Sequence, residues 1–233
     1  NLYSMKNKIK TMIGIVAGAI ALCCTSCDKM NDMHQEYLDR GEITYATRLD
    51  SVESFSGRNR VNLKMYVPPT RVAGIKIYWG VGYADSLEVD MNLVKNGIVE
   101  QIISGLPEGS SFFKLKTFDK YGNYSLPEEI TGDTYGELYE SELRNNVVES
   151  VMFKEGKLSI KWMRVLSQAE SMELTYTSTE GKEVTRTLDV APEMVLEDYQ
   201  QGSAIRFRTV FRPTDTCIDV FYSKYSEYTP TIE

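Results

Sequence analysis

Histidine occurs once in this chain, and three of its four cysteines stand before residue 28. Nucleophilic triads and zinc centres need those residue types brought together, so both chemistries lose their raw material. His34 follows closely on an apolar amino-terminal run and reads as a solvated linker residue, and no Cys-x-x-Cys lies beyond residue 27. Cys217 reads as a small core hydrophobe, since free cysteine is among the most buried residue types. No glycine-rich phosphate loop or calcium-loop spacing is present, and no cofactor is implied. Long apolar runs are missing too: Met12 to Leu22 is too short to span a bilayer as a helix. Basic residues are the minority, 26 Lys+Arg against 33 Asp+Glu. That balance removes the electrostatic footprint of a nucleic-acid binder. Carboxylates are plentiful enough for a glycosidase pair, but clusters such as Glu128-Glu129 and Glu137 to Glu142 read as solvated loop faces. The expectation is a protein that is not an enzyme.

What is present begins at the amino terminus. Lys6, Lys8 and Lys10 precede the Met12–Leu22 run, with Met5 the expected start, and small residues lead to Cys24-Thr-Ser-Cys27-Asp28. This is the layout of a secretory signal. It resembles the lipobox of bacterial lipoprotein precursors, in which the cysteine is lipidated and becomes the first residue. The resemblance makes Cys27 the lipidation site, with Ser26 before the cut and Cys24 where Leu or Val is commoner. All three lysines leave with the signal, so the 26 basic residues fall to 23 against 33 acidic, a formal −10. Membrane attachment then comes from the lipid anchor rather than from charge.

Beyond a polar tether the pattern becomes short alternating runs broken by Gly, Pro, Asp and Asn, which reads as antiparallel strands. Val61, Leu63 and Met65 alternate with polar partners; so do Ile75, Ile77 and Trp79, and then Phe113, Leu115 and Thr117. The second half repeats the plan with Leu158, Ile160 and Trp162, then Met172, Leu174 and Tyr176. Leu106-x-x-Gly-Ser-Ser-Phe112 is echoed by Tyr199-x-x-Gly-Ser-Ala-Ile205, each leading into a basic-apolar strand. Both tryptophans fall on the apolar side of their strands and are expected in the core. The fold class is all-β: two tandem immunoglobulin-like sandwiches, each buried between its own two sheets. The expected layout is signal peptide 1–26, lipidated tether 27–41, sandwich 42–134, linker 135–146 and sandwich 147–233.

Ser159-Ile-Lys-Trp162 resembles the B strand of a fibronectin type III domain, and Asp119-x-x-Gly-Asn-x-Ser-x-Pro127 resembles an F–G hairpin of its bacterial members. Met65 takes the tryptophan's place in the first copy, and neither copy shows a tyrosine in register for the corner that bonds back to the backbone. The whole chain also resembles a family of Bacteroidetes lipoproteins, a named domain of unknown function. That resemblance is carried by Cys27-Asp-Lys-Met, Gly41-Glu-Ile-Thr-Tyr45, Asp50-Ser-Val52 and, most distinctively, Tyr135-Gly-Glu-x-Tyr139. It implies export to the envelope, with the outer membrane the expected site, and company with glycan-uptake systems.

Uncharged sugars are held by aromatic faces and a few hydrogen bonds, and the chain has 15 Tyr, 8 Phe and 2 Trp. Tyrosines in turns are the ligand-binding candidates: Tyr83 beside Gly82, and Tyr121 and Tyr124 around Gly122-Asn123. The plainer alternative makes them turn residues that cover the end of the core. In the type III topology the F–G loop faces the amino-terminal end, here the tether and membrane. A 14-residue tether reaches about 20 Å, which loosens that constraint. The leading expectation is a non-catalytic binding or accessory module, with a glycan or an envelope protein as partner. The alternative is a structural spacer or protein-interaction module bracing a partner complex.

Overall fold

Alternation sends every second side chain of a strand to one face. In the computed structural model of the chain, which describes residues 44–70 and 72–231, the alternating runs form strands with their apolar members inward. The signal peptide 1–26, Cys27 and the tether with His34 lie outside the described residues.

The first sandwich is built from β1 (Ser51–Arg58), β2 (Arg60–Tyr66), β3 (Gly74–Trp79), β4 (Asp85–Glu88), β5 (Ile98–Ser104), β6 (Gly109–Phe118) and β7 (Glu128–Tyr135). One sheet runs β1-β2-β5 and the other β4-β3-β6-β7. The end of β1 crosses to the second sheet, where Gly57 and Arg58 pair in parallel with Thr134 and Tyr135. Val61, Leu63, Met65, Ile75, Ile77, Phe113 and Leu115 fill the space between the sheets. Trp79 departs from the expected core position. It ends β3 half-buried, packed against the rim of that core, because its strand gives way there to a turn at Gly80.

The second sandwich repeats the plan with β8 (Val148–Lys154), β9 (Lys157–Trp162), β10 (Ala169–Thr177), β11 (Glu183–Asp189), β12 (Glu193–Leu196), β13 (Ile205–Phe211), β14 (Phe221–Tyr222) and β15 (Ser226–Tyr228). Its sheets are β12-β9-β8 and β11-β10-β13, with β14 and β15 completing the last strand in two pieces. Trp162, 3% exposed, packs edge-on against Phe207 in a core shared with Leu158, Ile160, Met172, Leu174 and Tyr199. The all-β tandem-sandwich expectation therefore holds.

One detail corrects the sequence reading. Phe112 does not occupy the place of Ile205: Phe113 is buried and Phe112 is 66% exposed, because one extra residue follows Gly109 in the first copy. Tyr199, fully buried before β13, is not the corner tyrosine: its hydroxyl donates forward to the Ser203 carbonyl at 2.5 Å and ties the turn before the strand. Cys217 is buried, as its residue type suggests.

Candidate functional site

The three candidate tyrosines do not converge. β3 and β6 are antiparallel, with Gly74 opposite Phe118 at one end and Tyr78 opposite Lys114 at the other. Tyr121 and Tyr124 lie beyond the Phe118 end, and Tyr83 beyond the Lys114 end. The 3-10 turn Val81–Tyr83 carries Tyr83 at φ 60°, with the Lys114 ammonium 4.1 Å from its ring centre. A cation thus lies over that ring, as the Lys120 ammonium lies over the Tyr121 ring, 4.9 Å from its centre.

The β6–β7 loop is organised by Asp119. Its carboxylate accepts from the backbone N–H of Tyr121 at 2.8 Å and of Asn123 at 3.0 Å, and from the Asn123 side-chain amide at 3.0 Å. These bonds, the Asn123 side chain first, hold the Asp119 carboxyl below its ordinary range. Tyr121 stands 77% exposed at the tip, whereas Tyr124 tilts against Phe118 at 5.8 Å. The Tyr124 carbonyl accepts from the Ala46 N–H at 3.4 Å, so this loop lies where the chain enters the sandwich.

Between these ends runs the outward face of β4-β3-β6-β7. Lys76 stands opposite Lys116 and Tyr78 opposite Lys114, with Glu88, Ser86 and Glu129 on the flanking strands. Lys114 is ion-paired to Glu129 at 3.2 Å. Among the described residues, Lys76 and Lys116 have no carboxylate partner. The residue types were legible as the polar half of the alternation, but only the strand register makes them neighbours.

The second concentration of chemistry is the junction of the two sandwiches. Residues 135–146, the expected linker, hold α1 (Glu137–Glu142). Its free N–H groups at Leu138 and Tyr139 are taken by the Glu108 carboxylate at 2.9 and 2.6 Å. A side chain on Gly136 would collide with that carboxylate, its Cβ lying 2.9 Å from Oε2. Tyr135, Tyr139 and Phe221 pack edge-to-face at 4.9 to 5.9 Å. Glu140 is not a solvated loop acid. It takes both arms of the Arg58 guanidinium at 2.8 Å and the Tyr222 N–H at 3.0 Å. Asp219 likewise takes Arg60 at 2.6 and 2.9 Å and the Arg58 N–H at 2.7 Å. The Arg58 bonds hold the Glu140 carboxyl below its ordinary range, and the Arg60 bonds do the same for Asp219. Gly57 is required here, since a Cβ would sit 2.7 Å from the Asp219 carboxylate. Tyr135-Gly-Glu-x-Tyr139 is thus the wall of this junction.

Beside it an open groove of about 460 Å³ is lined by Glu137, Glu140, Arg208, Tyr222, Lys224 and Tyr225. Arg208 lies 4.0 Å from the Tyr222 ring centre and 4.7 Å from that of Tyr225, and donates to Glu173 at 2.6 Å, so its charge is matched. Among the described residues, no group of three or more His, Cys, Asp or Glu is arranged to hold a metal ion.

A family model described as a domain of unknown function, DUF4998, matches residues 27–221. Among curated proteins none matches the chain. Similar solved structures include a two fibronectin type III domain segment from chicken tenascin, at 13% identity and TM-score 0.32, covering 78% of this chain and 98% of that one. Another is the chicken CNTN1 FN1–FN3 domains, at 12% identity and TM-score 0.42, covering 80% of this chain and 65% of that one.

Proposed function

The chain belongs to the DUF4998 family, and from that premise we propose a non-catalytic envelope lipoprotein of a Bacteroidetes-type cell whose two sandwiches act as one fixed mount for a partner. The observation that carries the reading is the junction. Two bidentate arginine–carboxylate pairs and an aromatic trio, in which half-buried Tyr135 and Tyr139 close over the buried Phe221, hold residues that a flexible spacer would leave apart. Residues Ala46–Glu233 accordingly form one compact unit. Calorimetry of the full chain in detergent tests this. One cooperative unfolding transition supports the mount, and two independent transitions would overturn it.

Anchoring is assigned to acylated Cys27, the residue at which the family match begins. Cys27→Ala leaves the protein without label when cells are fed labelled fatty acid. Label kept at the wild-type level would move the acceptor to Cys23 or Cys24.

A second reading, glycan capture beside an uptake system, is favoured by the 77% exposure of Tyr121 on a loop already set by Asp119. On this reading Tyr121→Ala with Tyr124→Ala abolishes retention in polysaccharide-containing native gels while the melting temperature stays near wild type. Loss of retention and melting temperature together would assign both rings to packing.

A further inference from the structure

The same cross-strand position is occupied in opposite ways in the two sandwiches. Ile77 faces Leu115 in the first and Leu174 faces Phe207 in the second, so Lys76 opposite Lys116 corresponds to Glu173 opposite Arg208. The second sandwich has an ion pair there, at 2.6 Å. The first has two ammonium groups directly opposite each other, an arrangement that costs stability in a sheet. It stands in a chain where acids outnumber bases, 33 to 26. Glu88 lies opposite Lys76 on the outer strand without closing an ion pair. Lys114 is held by Glu129 and the Tyr83 ring; on this face, among the described residues, Lys76 and Lys116 are the two without a carboxylate, Lys76 having only the Tyr78 ring, its centre 5.4 Å from the ammonium.

We propose that this outward sheet face binds an acidic polysaccharide, a sugar chain bearing carboxylate or sulfate groups, with Lys76 and Lys116 meeting its anions. An anion from outside relieves the lysine–lysine repulsion and supplies the charge that Glu173 supplies in the second sandwich. One aromatic ring adjoins the charges: Tyr78 is two residues from Lys76 on β3, whereas Phe112, 66% exposed on the same outward row of β6, stands four residues from Lys116 with Lys114 between. Along a strand, two residues span about 7 Å, so a ring and a charge are offered at the scale of one sugar unit. A ring beside cations favours a sugar chain over an acidic peptide, whose anions come without flat apolar faces. The inference rests on the glycan-capture reading and names its ligand class.

The test runs the full chain in detergent through native gels containing polygalacturonate, neutral xyloglucan or poly-glutamate. Polygalacturonate retards the protein, rising salt weakens the retention, and Lys76→Glu weakens it about fivefold, as removing one surface attraction and adding a repulsion should. Lys116→Glu has the same effect, and neither variant melts below wild type. Retention by xyloglucan alone would keep glycan capture and overturn the acidic ligand. Equal retention by poly-glutamate would overturn the sugar assignment. Polygalacturonate retention untouched by both variants would move the site off this face. No retention in any gel would remove glycan capture itself.

Discussion

The two sandwiches place different residues at matching positions of one plan. In β9 of the second, Trp162 closes the row begun by Leu158 and Ile160; in β2 of the first, Met65 closes the row begun by Val61 and Leu63. The tryptophan fixes a rigid ring against Phe207, with centroids 5.3 Å apart, and methionine adapts to the space its neighbours leave. The first sandwich joins its two sheets through β1, and the second keeps its sheets apart and splits its last strand into β14 and β15. The second copy therefore relies more on one large side chain. The first relies on continuity of its sheets.

The strongest break of this comparison is Trp162→Ala, which costs about 3–5 kcal/mol, against about 3 kcal/mol for Met65→Ala. The Trp162 ring N–H has no partner among the described residues, so Trp162→Phe removes an unpaired buried donor along with part of the ring and costs about 1 kcal/mol. Denaturant unfolding ranks the three. Trp162→Ala melting at the wild-type temperature would sink the packing argument.

Next comes the weld between the copies. Asp219→Ala leaves Arg60 and the Arg58 N–H unmatched, costs about 2 kcal/mol and separates the melting of the two sandwiches. Acid acts on the same bonds. The folded-state pKa values of Asp219 and Glu140 lie below their ordinary ones, so their contribution is complete above the normal carboxylate range. It is lost as pH falls through the depressed values, from about pH 5 downward. Wild type thus loses more melting temperature than Asp219→Ala between neutral pH and pH 3. Equal losses would mean the weld carries none of the acid sensitivity.

That weld also marks where sequence reasoning stops. The inward rows of β2, β3, β6, β9 and β10 were legible because alternation is a local signal. Within the acidic run Glu137 to Glu142, Glu140 reads as a solvated loop residue because its partner is far off: Arg58 is 82 residues away, just as Arg60 is 159 from Asp219. Phe112 and Phe113 exchange roles through one inserted residue, which a motif echo does not reveal. The tie from Tyr199 to the Ser203 carbonyl runs forward across a turn, a bond that strand alternation does not announce. The three candidate tyrosines were legible as turn residues, but their separation along β6 follows from register. Lys76 and Lys116 were plainly outward residues; that they face each other is a property of the pairing alone.

The finest discrimination exchanges that pair between the copies. Glu173→Lys gives the second sandwich the charges of the first. It strips Arg208 of its acid and removes the acceptor of the Tyr225 hydroxyl, and should cost about 1 kcal/mol. Lys76→Glu makes the opposite change, replacing repulsion with a possible pair to Lys116. Its gain is reduced because Glu88 already lies across from residue 76 and would then face a like charge. The balance should be a stabilisation of about 0.5 kcal/mol at low salt, shrinking as salt screens both effects. Thermal melts of the two variants at low and high salt read the difference. A lower melting temperature for Lys76→Glu at low salt would mean that Glu88 already neutralises Lys76. The pair would then hold no unmatched charge for a ligand to meet.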